Sequence, residues 1–204
     1  MTWAEALTEG ITLGIFTKPL ARLAMSLAGT AALLTVATPA PAEAAPLGRA
    51  CFFVAPRGAD GVGHAAFAIK VRGEYDHWIY GSFGSISDGP LKGWIKGGTW
   101  GQARGHFKKV YDRDNKSPRY YTQYRCLNTR DGNHKTAQDW YRSVKSRGYN
   151  LATNNCLHMT MAVFKGYSNI LRKDPDLPSA TRKLPNYYFG TVLGDAGWER
   201  AKVV

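Results

Sequence analysis

Apolar residues fall in short runs between residues 50 and 83 and change to helical spacing after residue 134. ACFFVAP (50–56) is an apolar run closed by proline, which predicts a strand. HAAFAIKV (64–71) predicts a second strand, RGEYD a turn, and HWIYGSF (77–83) a third strand returning as a hairpin. From Gly84 to Ser117 glycine becomes frequent and periodicity fades, which predicts a long loop with little regular structure. RYYTQYRCL (119–127) alternates and is rich in tyrosine, as strands are. The period then lengthens. Ala137, Trp140, Tyr141 and Val144 recur at helical intervals until Gly148 stops the run. A second helix follows Asn155, with Cys156, Met159, Thr160, Val163 and Tyr167 on one face. The tail from Asp174 is broken by Pro175, Pro178 and Pro185, and its NYYFGTVLG reads as a covering segment or a last edge strand. Strands first and helices afterwards predict an α+β domain with a mostly antiparallel sheet. A doubly wound fold would need helices between the strands.

Residues 1–44 follow another grammar. Lys18 and Arg22 precede LAMSLAGTAALLTVA, and the small-residue stretch TPAPAEAAP holds Ala42-Glu43-Ala44. This is the pattern of a signal peptide cut near Ala44, which makes the mature protein secreted and leaves 45–204 as a single domain. The apolar stretch, about 15 residues, is too short to remain as a membrane span. The 204-residue chain carries a formal net charge of +12, so an anionic partner is expected: a cell-wall polymer or anionic lipid before nucleic acid. Cations and aromatics interleave most densely between residues 92 and 125. There Trp94, Trp100, Lys108 and Lys109 are candidate substrate-binding residues; the plainer alternative is a solvated loop whose aromatics cover the core.

Export also bears on the three cysteines, because disulfides persist outside the cytosol and three thiols cannot all pair within one chain. Pairing Cys51 with Cys126, both in strand-like sequence, leaves Cys156 free. The other pairings place Cys156 in the bridge. In TNNC, Thr153, Asn154 and Asn155 are candidate helix caps. Cys156 then lies in a first helical turn, where unpaired N–H groups favour a thiolate and its own N–H is placed for an oxyanion. Of the histidines, His64 at the start of a strand is the best base. Its face carries Ala66 and Ala68, small enough for a helix to approach. His158, two residues after Cys156, points elsewhere on the helix.

At GHAAFAI, His77 and NNCLHMT the chain resembles the circularly permuted papain-like enzymes, which include lecithin–retinol acyltransferase-like proteins and permuted relatives of NlpC-type cell-wall peptidases. The resemblance covers residues 50–167. It implies a permuted papain-like fold in which Cys156 is the nucleophile, His64 the base and His77 the third, orienting member. A hairpin centred on Arg72-Gly73 would set position 81 opposite His64, which keeps Tyr80 and Ser82 open as orienting residues. The expected activity is a cysteine hydrolase acting through a thioester, on amide or peptide bonds of cell-wall material first and on ester or lipid acyl groups second. The competing class is a non-catalytic basic binding protein on the same scaffold. Nothing in the sequence calls for a metal or an organic cofactor.

Overall fold

The computed structural model describes residues 48–84, 93–109 and 121–204. The leader, Lys92 and the basic positions 113, 116 and 119 lie outside them. Six antiparallel strands form one sheet in the order β4-β3-β2-β1-β5-β6, with β1 Gly48–Ala55, β2 His64–Lys70, β3 Trp78–Ser82, β4 Trp94–Gly98, β5 Gln123–Thr129 and β6 Lys202–Val203. Helix α1 (Trp100–Lys109) precedes β5, while α2 (His134–Ser146), α3 (Cys156–Tyr167) and α4 (Asn169–Lys173) follow it. The chain closes over three successive helical pieces, Pro185–Tyr187, Tyr188–Val192 (wound as a π-helix) and Leu193–Asp195. This is an α+β architecture.

The central strands are buried on both sides, which is why their sequences read as unbroken apolar runs rather than as alternation. Ala50, Phe52 and Val54 of β1 join Ala65, Phe67 and Ile69 of β2 under α2, α3 and the C-terminal segment. Cys51, Phe53 and Ala55 join Ala66, Ala68, Trp78 and Tyr80 on the opposite face, against Ala103 and Phe107 of α1. This corrects one expectation: the small Ala66 and Ala68 face α1. The helix that bears Cys156 packs on the other face, because strand parity sends Ala65 there.

The segment expected as a loop holds β4 and α1. Strand β4 is an edge strand with Ile95, Lys96 and Gly97 exposed, so it has no buried stripe to reveal it. Helix α1 buries only Ala103 and Phe107 and contains Gly101 and Gly105, so its helical period is faint. The α2 and α3 readings hold. Ala137, Tyr141 and Val144 are buried, and Gly148 takes a left-handed φ of 75° just beyond α2. On α3 the five positions expected on one face are all buried. NYYFGTVLG is the covering segment; the edge strand comes later, at β6, where Lys202 pairs with Tyr124.

The β2–β3 hairpin is wider than a two-residue turn. Lys70 stands opposite Trp78 and Ala66 opposite Ser82, and the Val71 N–H reaches the His77 carbonyl at 2.7 Å. The register therefore differs by three residues from a turn centred on Arg72-Gly73. A disulfide joins Cys51 and Cys126, which face each other across β1 and β5, and Cys156 is a free, buried thiol. A disulfide is compatible with an extracellular protein. Among the described residues no helix is long and apolar enough to cross a membrane.

Candidate active site

Three asparagines before α3 do different work. The Asn150 side chain accepts from the Ala152 and Thr153 N–H groups and shapes the loop. The Asn154 carboxamide donates to the carbonyls of Val144 and Gly148, which ties the loop to the end of α2. Asn155 is the N-cap of α3. Its Oδ1 accepts from the N–H groups of Leu157 (3.0 Å) and His158 (3.2 Å), and its Nδ2 donates to the Leu151 carbonyl (2.7 Å). Cys156 is thus held at the first helical position, where its own N–H has no intrahelical acceptor.

His64 is fixed from the other side. Gly63 has φ +97°, and a Cβ there would stand 2.3 Å from Asn186 Oδ1, so only glycine allows this approach. Asn186 donates from Nδ2 to the Pro56 and Gly61 carbonyls, so the C-terminal segment clamps the loop that leads into His64. The thiol reaches the same place: the Ala65 N–H, adjacent to His64, hydrogen-bonds the Cys156 sulfur.

The partner of the His64 ring is Ser82, with Nε2 and Oγ 2.9 Å apart. Ser82 Oγ also donates to the Ala65 carbonyl (3.1 Å) and accepts from the Tyr121 hydroxyl (3.0 Å). In the tautomer that carries its proton on Nε2, the imidazole donates to Ser82 while the serine proton goes to the Ala65 carbonyl, and the lone pair lies on Nδ1. His77 is not brought to this cluster. It sits at the hairpin end with Nδ1 2.5 Å from Glu74 Oε2, and 43% of its side chain is exposed. Its neighbour Trp78 pairs with Lys70, six residues along β2 from His64, so His77 lies at the far end of the hairpin. Tyr80 lies under α1 against Trp94, His106 and Phe107 and does not join the cluster.

Sequence reasoning missed Tyr121 and Tyr149. Tyr121 is fully buried, its phenol is held well above the usual range by loss of solvent, and its ring lies 6.0 Å from that of His64. Tyr149 lines the cleft beside Cys156, and burial pushes its phenol up to about 12. Neither residue carries a sequence signal beyond a polar tip on a large apolar body. His158 Nδ1 lies 2.9 Å from Asn155 Oδ1, so that ring supports the cap.

The thiol itself departs from expectation. Burial pushes Cys156 up to about 11, even though the N–H groups of Ala65, Leu157 and Cys156 pull it down. Three amides do not offset the loss of water around a side chain only 3% exposed. A thiolate at neutral pH therefore needs a counter-cation, and His64 is the neighbouring group that can take up a proton.

Trp94 and Trp100 pack into the aromatic cluster between α1 and the sheet: Trp100 lies 4.5 Å from Trp78, and Trp94 lies 4.5 Å from His106. Lys108 and Lys109 are exposed at the end of α1. All four belong to the sheet face opposite α3. Among the described residues no group of His, Cys, Asp and Glu side chains could hold a metal ion. No family model, curated protein or solved structure matches the chain.

Proposed function

We propose that the protein is a secreted cysteine-nucleophile hydrolase of permuted papain-like design, acting on amide or ester bonds through a thioester. The observation that supports it most strongly is a buried free thiol at the cap of α3, hydrogen-bonded by the backbone of Ala65, whose chain neighbour His64 is held by Ser82. In the proposed step His64 Nδ1 takes the Cys156 proton, and the sulfur forms a bond to the acyl carbon. The Cys156 N–H donates a hydrogen bond to the resulting oxyanion. As the tetrahedral centre collapses, the bond to the leaving amine or alcohol breaks and the imidazolium proton passes to it. A water molecule, deprotonated by His64, then cleaves the thioester and restores the thiol. Ser82 replaces His77 in the orienting role. Export and basic charge put cell-wall amides first and lipid acyl groups second as substrate classes; the apolar lining of the cleft beside Cys156 favours the second.

Thiol alkylation tests the pair directly. Wild type should react with iodoacetamide well below pH 8. In His64→Ala the buried thiol keeps its desolvation and loses the candidate counter-cation, so alkylation at pH 7 should fall steeply. Equal rates for the two proteins at pH 7 would remove the histidine from the mechanism.

A further inference from the structure

The cleft beside Cys156 has a volume of about 310 Å³ and is built by three loops, one ahead of β2, one ahead of α3 and one ahead of Pro185. Its lining is apolar and unusually exposed: Leu151 is 70% exposed, Leu184 53% and Val62 36%. Large aliphatic side chains gathered in the open around one mouth mark a place that an apolar ligand covers. The same mouth carries Arg182 and Lys183. Among the described residues no carboxylate pairs with either; the Lys183 ammonium lies instead over the Tyr187 ring, 5.2 Å from its centroid. Backbone strain gathers here as well. Ala59 (φ 46°) and Arg182 (φ 58°), which both line the cleft, are the two non-glycine residues with positive φ among those described.

We infer that this cleft takes an amphiphilic acyl donor whose apolar chain fills the cleft and whose anionic group, a phosphate or carboxylate, is held by Arg182 and Lys183. The inference rests on the reading of Cys156 as a nucleophile only for turnover, not for binding. The volume suits about ten heavy atoms, at ~30 Å³ each. A peptide stem would want hydrogen-bonding walls, which this lining supplies sparingly. Charge complementarity selects the occupant: an anionic group gains charge-assisted hydrogen bonds from Arg182 and Lys183 that an uncharged lipid does not.

Octyl phosphate, octyl glucoside and inorganic phosphate separate the contributions of chain and charge, with dissociation constants measured by calorimetry on the full chain. Octyl phosphate should bind about tenfold or more tightly than either, since a charged group gains hydrogen bonds that a neutral one lacks. Arg182→Asn with Lys183→Gln should bring octyl phosphate to the level of octyl glucoside. Asparagine tolerates the left-handed backbone at 182, and an unchanged melting temperature would confirm the fold. Lys108→Gln with Lys109→Gln, on the other sheet face, should change nothing. Equal binding of octyl phosphate and inorganic phosphate, or no effect of the first pair, would overturn the inference. Sedimentation with phosphatidylglycerol vesicles, lost in the same pair, would assign the anionic group to a lipid; binding of octyl phosphate alone would assign it to a soluble amphiphile. Binding as expected without cleavage of any 4-nitrophenyl ester would retire the nucleophile reading and leave the cleft standing. Cleavage of 4-nitrophenyl octanoate and its 3-carboxy analogue at equal kcat/KM, in wild type and in the Arg182/Lys183 pair alike, would do the reverse.

Discussion

At Ser82 a single hydroxyl oxygen settles three neighbours. It donates to the Ala65 carbonyl, accepts from Tyr121 and, with the imidazole proton on Nε2, accepts from His64. Removing it takes away the acceptor of a buried phenol and the hydrogen bond between Ser82 and the imidazole. Ser82→Ala should therefore lower the Cys156 alkylation rate and any turnover at least about tenfold, with the pH profile displaced. His77→Ala, at an exposed contact with Glu74, should leave both unchanged. The reverse pattern, measured as rate against pH for the two variants, would restore His77 to the orienting role. Residues 80 and 82 were open as alternatives in the sequence because both carry hydroxyls. The width of the turn decided between them, and turn width depends on how Glu74 and Asp76 pack: the Asp76 carboxylate accepts from the Trp78 indole and the Trp100 N–H.

The helix that presents Cys156 begins where the sequence says it should, because a cap is a local matter. Asn155 side-chain oxygen, two amides and the following apolar stripe lie within four residues. Asn155→Ala should cost about 1 kcal/mol of stability, readable as a fall in denaturation midpoint. It should also slow alkylation of Cys156, since the first turn loses its anchor; an unchanged rate with lowered stability would separate cap from chemistry. By contrast β4 and α1 were illegible. A strand at an edge and a helix on two buried residues owe their existence to the aromatic cluster of Phe53, Trp78, Tyr80 and Phe107, assembled from distant segments. Local propensity was weak there, and tertiary packing supplied the rest.

Over the whole molecule the sheet divides the chain's two kinds of surface. One face carries α2, α3 and the thiol; the other carries α1 with Lys108, Lys109 and the disulfide-bearing cluster. The bridge spans 75 residues and joins the neighbouring strands β1 and β5. Replacing both Cys51 and Cys126 by alanine should destabilise the fold by about 2–4 kcal/mol in chemical denaturation, through the freedom returned to the unfolded chain. Cys156 alkylation in the native state should persist. If mass mapping of the wild type instead found Cys156 bridged to Cys51 or Cys126, the free-thiol assignment would fail.

Local chemistry determined much of this protein from its sequence. Apolar runs and helical periods set strands and helices, the cap residues set the start of α3, and the cysteine count implied that one thiol is left over. Those features depend on neighbours within a few residues. The tertiary structure alone decided which sheet face receives the helix that bears Cys156, that Ser82 rather than His77 meets His64, that Tyr121 completes that network, and that desolvation raises the thiol. These are outcomes of register and burial, set by contacts between segments up to a hundred residues apart, and no short window of sequence contains them.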